Sequence, residues 1–86
     1  MRVYVPTALR SYTGQKGRVD AEGLTLGELL TDLDHRYPGF CFRIIDEQDG
    51  IREHIKIFVN QQQVGDLAVP LRGGDEVQIV CALSGG

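Results

Sequence analysis

Apolar side chains recur at every second position in several stretches of the chain. Arg2-Val3-Tyr4-Val5 alternates before Pro6 removes a backbone donor, which predicts a strand ending near Pro6. His54 to Val59 alternates likewise and predicts a strand burying Ile55, Ile57 and Val59. Glu76 to Leu83 predicts the last strand. Arg18 to Ala21 predicts a second strand, paired with the first as a hairpin through a turn-rich connection, Ser11 to Gly17. Asn60 to Gln63 reads as a tight connection. Val64, Leu67 and Val69 carry weaker strand signals up to Pro70, and Leu71 to Asp75 is a turn.

The period changes in one region. Thr25 stands at an N-cap position with Glu28 three residues on, a capping box, and Leu26, Leu29, Leu30, Leu33 and Tyr37 follow as one apolar stripe. Pro38-Gly39 stops this helix. Phe40, Phe42, Ile44 and Ile45 fit a strand or a helical turn equally, and Asp46 to Gly50 is a polar loop. The order is strand, strand, helix, strand, short strand, strand, so one main helix must cover one face of a mixed sheet in an α+β fold.

Composition narrows the function classes. At 86 residues and 42% hydrophobic, the chain is expected to form one domain burying about 60–65% of its unfolded surface, with little room for a deep enzyme cleft. A formal charge of −3 opposes nucleic-acid binding and favours partners with basic docking surfaces. No apolar run reaches the roughly 18 residues of a membrane helix, and Met1-Arg2 leads into a strand rather than a signal peptide. Two cysteines without such a signal imply free thiols and a cytoplasmic setting.

The informative feature is the closing pair Gly85-Gly86. At a mean glycine usage of about 7%, two in a row at a fixed place arise by chance in about one chain in 200. A strongly apolar strand precedes them, so Leu83 to Gly86 would project as a short arm reaching about 13–14 Å. Without Cβ atoms, Gly85 and Gly86 can thread a narrow channel. The carboxylate at the tip is a poor electrophile. Adenylation would give it a leaving group, and sulfur transfer would then yield a thiocarboxylate.

Leu24-Thr25-Leu26-Gly27-Glu28-Leu29-Leu30, Ile57-Phe58-Val59-Asn60, Pro70 to Val77 and Leu83-Ser84-Gly85-Gly86 together resemble the ubiquitin-like sulfur carriers of the MoaD/ThiS group. Tyr37-Pro38-Gly39-Phe40 and the stretch from Asp46 to Asn60 look most like the CysO-type and related carriers. The resemblance implies a β-grasp fold of four or five strands, residues 1–83, with a flexible tail, 84–86. It implies a C-terminal thiocarboxylate on Gly86, an E1-like adenylating enzyme of MoeB/ThiF type using ATP and Mg²⁺, and a sulfur-accepting synthase. In some relatives a JAMM-type protease exposes the glycine pair. The pathway implied is cysteine or homocysteine synthesis or a sulfur-containing metabolite. On this reading the chain is a protein co-substrate that binds no cofactor itself. The alternatives are a molybdopterin synthase small subunit and a ubiquitin-like protein modifier.

In a β-grasp fold the first and last strands lie together at the sheet centre, with the His54-to-Val59 strand next. If Val3, Val5, Ile55, Ile57, Val59, Val77, Ile79 and Cys81 face the helix, parity sends Tyr4, Phe58 and Val80 to the other face as a small apolar docking patch. Leu83 and Ser84 of the tail complete the candidate contact.

Other candidates fall away. Cys41 and Cys81 are far apart in sequence, and Cys81 fits a core position. His35 and His54 lack metal-ligand spacing. The acids Asp46, Glu47, Asp49 and Glu53 lack calcium-loop spacing, and Gly14-Gln15-Lys16-Gly17 is no phosphate loop. Ser11 and Ser84 show no triad pattern, and Arg72 belongs to a turn.

Overall fold

The computed structural model describes residues 1–81. Strand β1 (Arg2–Tyr4) is followed by a 3-10 helix (Thr7–Thr13), β2 (Arg18–Asp20), α1 (Leu26–Arg36) and α2 (Phe40–Ile44). Strands β3 (Ile55–Val59), β4 (Gln62–Val64) and β5 (Glu76–Cys81) complete the chain. The sheet order is β2-β1-β5-β3-β4. β5 is central, parallel to β1 and antiparallel to β3, while both hairpins, β1–β2 and β3–β4, are antiparallel. A mixed five-stranded sheet with a helix across one face is the β-grasp arrangement.

The start of α1 is built as its capping residues dictate, with help from a distant loop. Thr25 is extended, and its hydroxyl accepts from the Glu28 amide at 3.2 Å. The Glu28 carboxylate turns back to accept from the Leu24 amide at 3.3 Å, one residue earlier than a capping box requires. The first two helical amides, Leu26 and Gly27, donate to the carbonyls of Val69 and Leu67, both at 2.9 Å. These bonds satisfy the donors that a helix leaves unpaired. They also explain why Leu67 and Val69 form no strand: that stretch is spent on capping α1. Gly23 passes so close beneath the first turn that a Cβ on it would lie 2.4 Å from the Leu29 nitrogen.

Four boundaries differ from the sequence expectation. The turn-rich connection is largely a 3-10 helix, missed because its seven residues bury only Leu9 and Thr13 and so carry no period. The ambiguous Phe40 segment is a helix: Phe40 and Ile44, four apart, are wholly buried, and Asp34 Oδ1 accepts from the amides of Gly39 and Cys41 at its start. The β3–β4 turn uses only Asn60 and Gln61, both at positive φ (50° and 72°), so Gln62 and Gln63 belong to β4. Such a two-residue turn follows the right-handed twist of its strands. β3 begins at Ile55 rather than His54, because residues 45–52 fold back on themselves and the Ile55 amide donates to the Arg52 carbonyl.

The core lies between the sheet and α1 and α2. Val3, Val5, Ile55, Ile57, Val77 and Ile79 meet Leu26, Leu29, Leu30, Leu33, Phe40 and Ile44, each no more than 2% exposed. Val59 and Cys81, expected among the buried residues, are half-buried at the margin of this core. No helix among the described residues is long and apolar enough to cross a membrane.

Candidate functional site

The strand leading toward Gly85-Gly86 is the best-held strand of the sheet. β5 is paired along both edges, and its inward residues Val77 and Ile79 are buried. Ala82, Leu83, Ser84, Gly85 and Gly86 lie outside the described residues. What the structure fixes is the C-terminal end of β5, at Cys81, whose Cα partner is Ile55.

Alternation places Tyr4, Phe58 and Val80 together on the sheet face away from the helices, and all three are half-buried. Register gives their arrangement. Tyr4 and Phe58 are each paired to Gln78, so one row across the sheet reads Arg18, Tyr4, Gln78, Phe58, Gln63. Val80 pairs with Lys56 and lies diagonal to Phe58. The patch is therefore two apolar spots divided by an amide, with Val80 nearest the C-terminal end of β5. The Tyr4 hydroxyl donates to Glu76 Oε2 at 3.2 Å, and Arg2 pairs with the same carboxylate at 3.5 Å. Gln78, at the middle of this row, was not singled out in the sequence because a lone glutamine in a strand carries no signal.

The end of the sheet where β5 begins is fixed by a polar clamp. Asn60 Nδ2 donates to Asp75 Oδ1 at 2.9 Å, Asn60 Oδ1 accepts from the Glu76 amide at 3.0 Å, and Asp75 Oδ2 accepts from the Arg72 amide at 2.8 Å. The Arg72 amide, then the Asn60 amide, hold the Asp75 carboxyl below the usual value of 3.8. Two stretches that carry the family resemblance, one ending in Asn60 and one containing Asp75, are thus the two halves of one brace for β5. Arg72 lies at this end, about 17 Å along β5 from Cys81.

The remaining candidates assemble no chemistry. Cys41 and Cys81 are free and half-buried. Burial, then Asp34 and Asp49, pushes the Cys41 thiol up, which keeps it protonated and a poor nucleophile. Cys41 lines an open groove of about 630 Å³ beside α1, together with His35, Asp49, Ile45 and Leu67. His35 and His54 are exposed. Among the described residues no group of three or more His, Cys, Asp or Glu side chains is placed to hold a metal ion. Asp46 shapes its own turn, accepting from the amides of Gly50 and Gln48 at 2.9 and 2.8 Å.

A small domain whose doubly paired central strand is followed in the sequence by a diglycine, and whose described residues assemble no catalytic group, fits a class of proteins handled by their C-termini. Residues 3–86 match the ThiS family, and the chain belongs to that family. It is 38% identical to the sulfur carrier protein CysO of Mycobacterium tuberculosis H37Rv, over 98% of this chain and 96% of that protein. The crystal structure of Mycobacterium tuberculosis CysO superposes with a TM-score of 0.89 at 36% identity, covering 95% of this chain and 98% of that one. A chain of the Amycolatopsis orientalis BexX/CysO complex superposes with a TM-score of 0.92 at 33% identity, covering 99% and 98%.

Proposed function

We propose that this chain is a sulfur carrier whose reactive group is the carboxylate of Gly86. The observation that carries the proposal is the coincidence of a central, doubly paired β5 with a family match extending through Gly85-Gly86. A carboxylate oxygen of Gly86 attacks the α-phosphorus of ATP on an adenylating enzyme that supplies Mg²⁺, and pyrophosphate leaves. A hydrosulfide equivalent then attacks the acyl carbon, the bond to AMP breaks, and a thiocarboxylate remains. Its sulfur attacks an electrophilic carbon of the acceptor, the bond from that carbon to its leaving group breaks, and the leaving group departs with the electron pair. Hydrolysis of the resulting thioester leaves sulfur on the acceptor and restores the carboxylate. Each partner supplies catalysis, and this chain supplies the address and the reacting atom.

In this cycle the sheet face bearing Tyr4, Phe58 and Val80 grips the adenylating enzyme, while Leu83, Ser84 and Gly85 enter its channel with Gly86. The channel entered can be narrow, because Gly86, which bears the reacting carbon, and Gly85 before it both lack a Cβ. The electrophilic acceptor is a precursor of cysteine, homocysteine or another sulfur-containing metabolite.

The test is intact mass after incubation with ATP, a sulfide source and the cognate adenylating enzyme. The expected product is heavier than the starting chain by the difference between sulfur and oxygen. A chain lacking Gly86 gains no such mass. A full-length chain that stays unchanged, or that appears instead as lysine-linked conjugates, overturns the proposal.

A further inference from the structure

The charges of this chain are not spread evenly. Residues 22–49, which carry α1, α2 and the loop after them, hold seven acidic side chains against Arg36 and Arg43. The rest of the chain holds five acids against seven lysines and arginines. A formal charge of −3 therefore divides into −5 on the helical layer and +2 elsewhere.

The open groove of about 630 Å³ beside α1 lies within the acidic layer. Its floor is apolar: Cys41, Ile45 and Leu67 are half-buried and packed against the core. Its walls are fixed by backbone bonds. The Leu67 carbonyl accepts from the Gly27 amide at 2.9 Å, and the Ile45 amide donates to the Cys41 carbonyl at 2.8 Å. A surface already built before a partner arrives loses little conformational freedom on binding.

The rim has the opposite chemistry. Glu28, Asp32 and Asp49 stand around the groove, and His35 is the one basic side chain among its described lining residues. Glu28 accepts from the Leu24 amide through Oε1, and Asp32 accepts from the Glu22 amide and from Arg36 Nε through Oδ2. Oε2 of Glu28 and Oδ1 of Asp32 are left without a donor among the described residues. Neither Glu28 nor Asp49 has an ion-pair partner among them. The field of the acids reaches the floor, since Asp34 and Asp49 add to burial in pushing the Cys41 thiol up.

We propose that this groove docks a basic, amphipathic segment of a partner protein, with one apolar side chain seated on Ile45 and Leu67 and a flanking arginine or lysine drawn to Asp49 and Glu28. Charge complementarity names the occupant. Acids around an apolar floor reward a cation next to an apolar group, and they repel acidic chains. The groove is too open to enclose a small molecule, whose own site would cover most of its surface. It lies on the helical side of the sheet, so a partner bound there leaves Tyr4, Phe58 and Val80 uncovered. The proposal needs neither adenylation nor the tail, and it stands apart from the sulfur-carrier reading.

The experiment titrates the full isotope-labelled chain with a short acetylated and amidated peptide of alternating leucine and arginine. Amide shifts should cluster on Thr31, Cys41, Ile45 and Leu67 rather than on Tyr4, Phe58 and Val80. Glu28→Gln combined with Asp49→Asn should weaken binding about tenfold. Glutamine serves at this capping position and asparagine tolerates the positive φ of Asp49 (60°), so the thermal midpoint should barely move. Replacing the peptide's arginines by glutamine, or its leucines by serine, should each cost about tenfold as well. Equal binding by either control peptide or by the double variant overturns the proposal, as does the absence of any shift at the groove residues. Shifts at those residues that grow with protein concentration when no peptide is present would assign the groove to a second copy of this chain, which overturns it too.

Discussion

Ile57 and Phe58 are neighbours on β3, yet their surroundings share almost nothing. Ile57 is 0% exposed, opposite Ile79 and Val64 in the layer beneath the helices. Phe58 faces away from the helices, half-buried between Gln78 and Gln63. The whole sheet repeats this contrast. Its inner face is aliphatic and packed, and its outer face carries Arg2, Arg18, Lys56, Glu76 and Gln78 around two aromatic rings. Volume constrains the inner face, because a close-packed interior registers each lost methylene. Nothing in the fold demands the composition of the outer face, which leaves it free for recognition.

Substitution at the two neighbours is the sharpest way to break this comparison. Ile57→Ala should destabilise the domain by about 2–5 kcal/mol in urea unfolding, a large share of what a domain of this size possesses. Phe58→Ala, combined with Tyr4→Ala, should cost far less stability while weakening binding to the adenylating enzyme about tenfold in a titration. Equal losses of stability at both positions would mean that the outer face is structural.

Gly23→Ala tests whether the inner layer tolerates added volume. Its new methyl group would meet the backbone of Leu29 rather than a movable side chain. A loss of about 1–3 kcal/mol is expected, read from the same unfolding curves.

The smallest effect concerns the brace at the start of β5. Asp75 is held below 3.8 in the folded chain, so the unfolded chain binds the proton first as acid is added. Its contribution is fully present above the unfolded value and is lost as pH falls through the folded one. Asp46 and Asp32 act in the same direction: the amides of Gly50 and Gln48 lower the first, and the Glu22 amide, with Arg36, lowers the second. Thermal midpoints should therefore be level from neutral pH to about 5 and decline below about 4. Asp75→Asn should flatten part of that decline, and an identical acid limb in the variant would remove Asp75 as a contributor.

Much of this was legible because it is local. The capping residues Thr25 and Glu28, the leucine stripe of α1 and the alternation of β1, β3 and β5 each name an element within a few residues. The diglycine and the family pattern named the chemistry. The Phe40 segment shows where locality fails. Residues 40 and 44 fall on one face in either a strand or a helix, and only residue 42 separates the two. Its exposure depends on Asp34 capping α2 and on Arg52 approaching from a later loop. Leu67 and Val69 failed for a similar reason, since their carbonyls serve a helix some forty residues earlier in the chain.

The amino-acid sequence by itself determined α1 and the strands β1, β2, β3 and β5, the parity of their side chains, and the chemical character of the C-terminal pair, because these follow from periodicity and from single-residue chemistry. Only the tertiary structure decided that Gln78 divides Tyr4 from Phe58, that Asn60 braces Asp75, and that Arg52 lies over the Phe42 ring. Those are facts of register and of contact between distant segments. Strand register is set by pairing across the whole sheet, and a shift of a single residue would move every side chain of a strand to the other face.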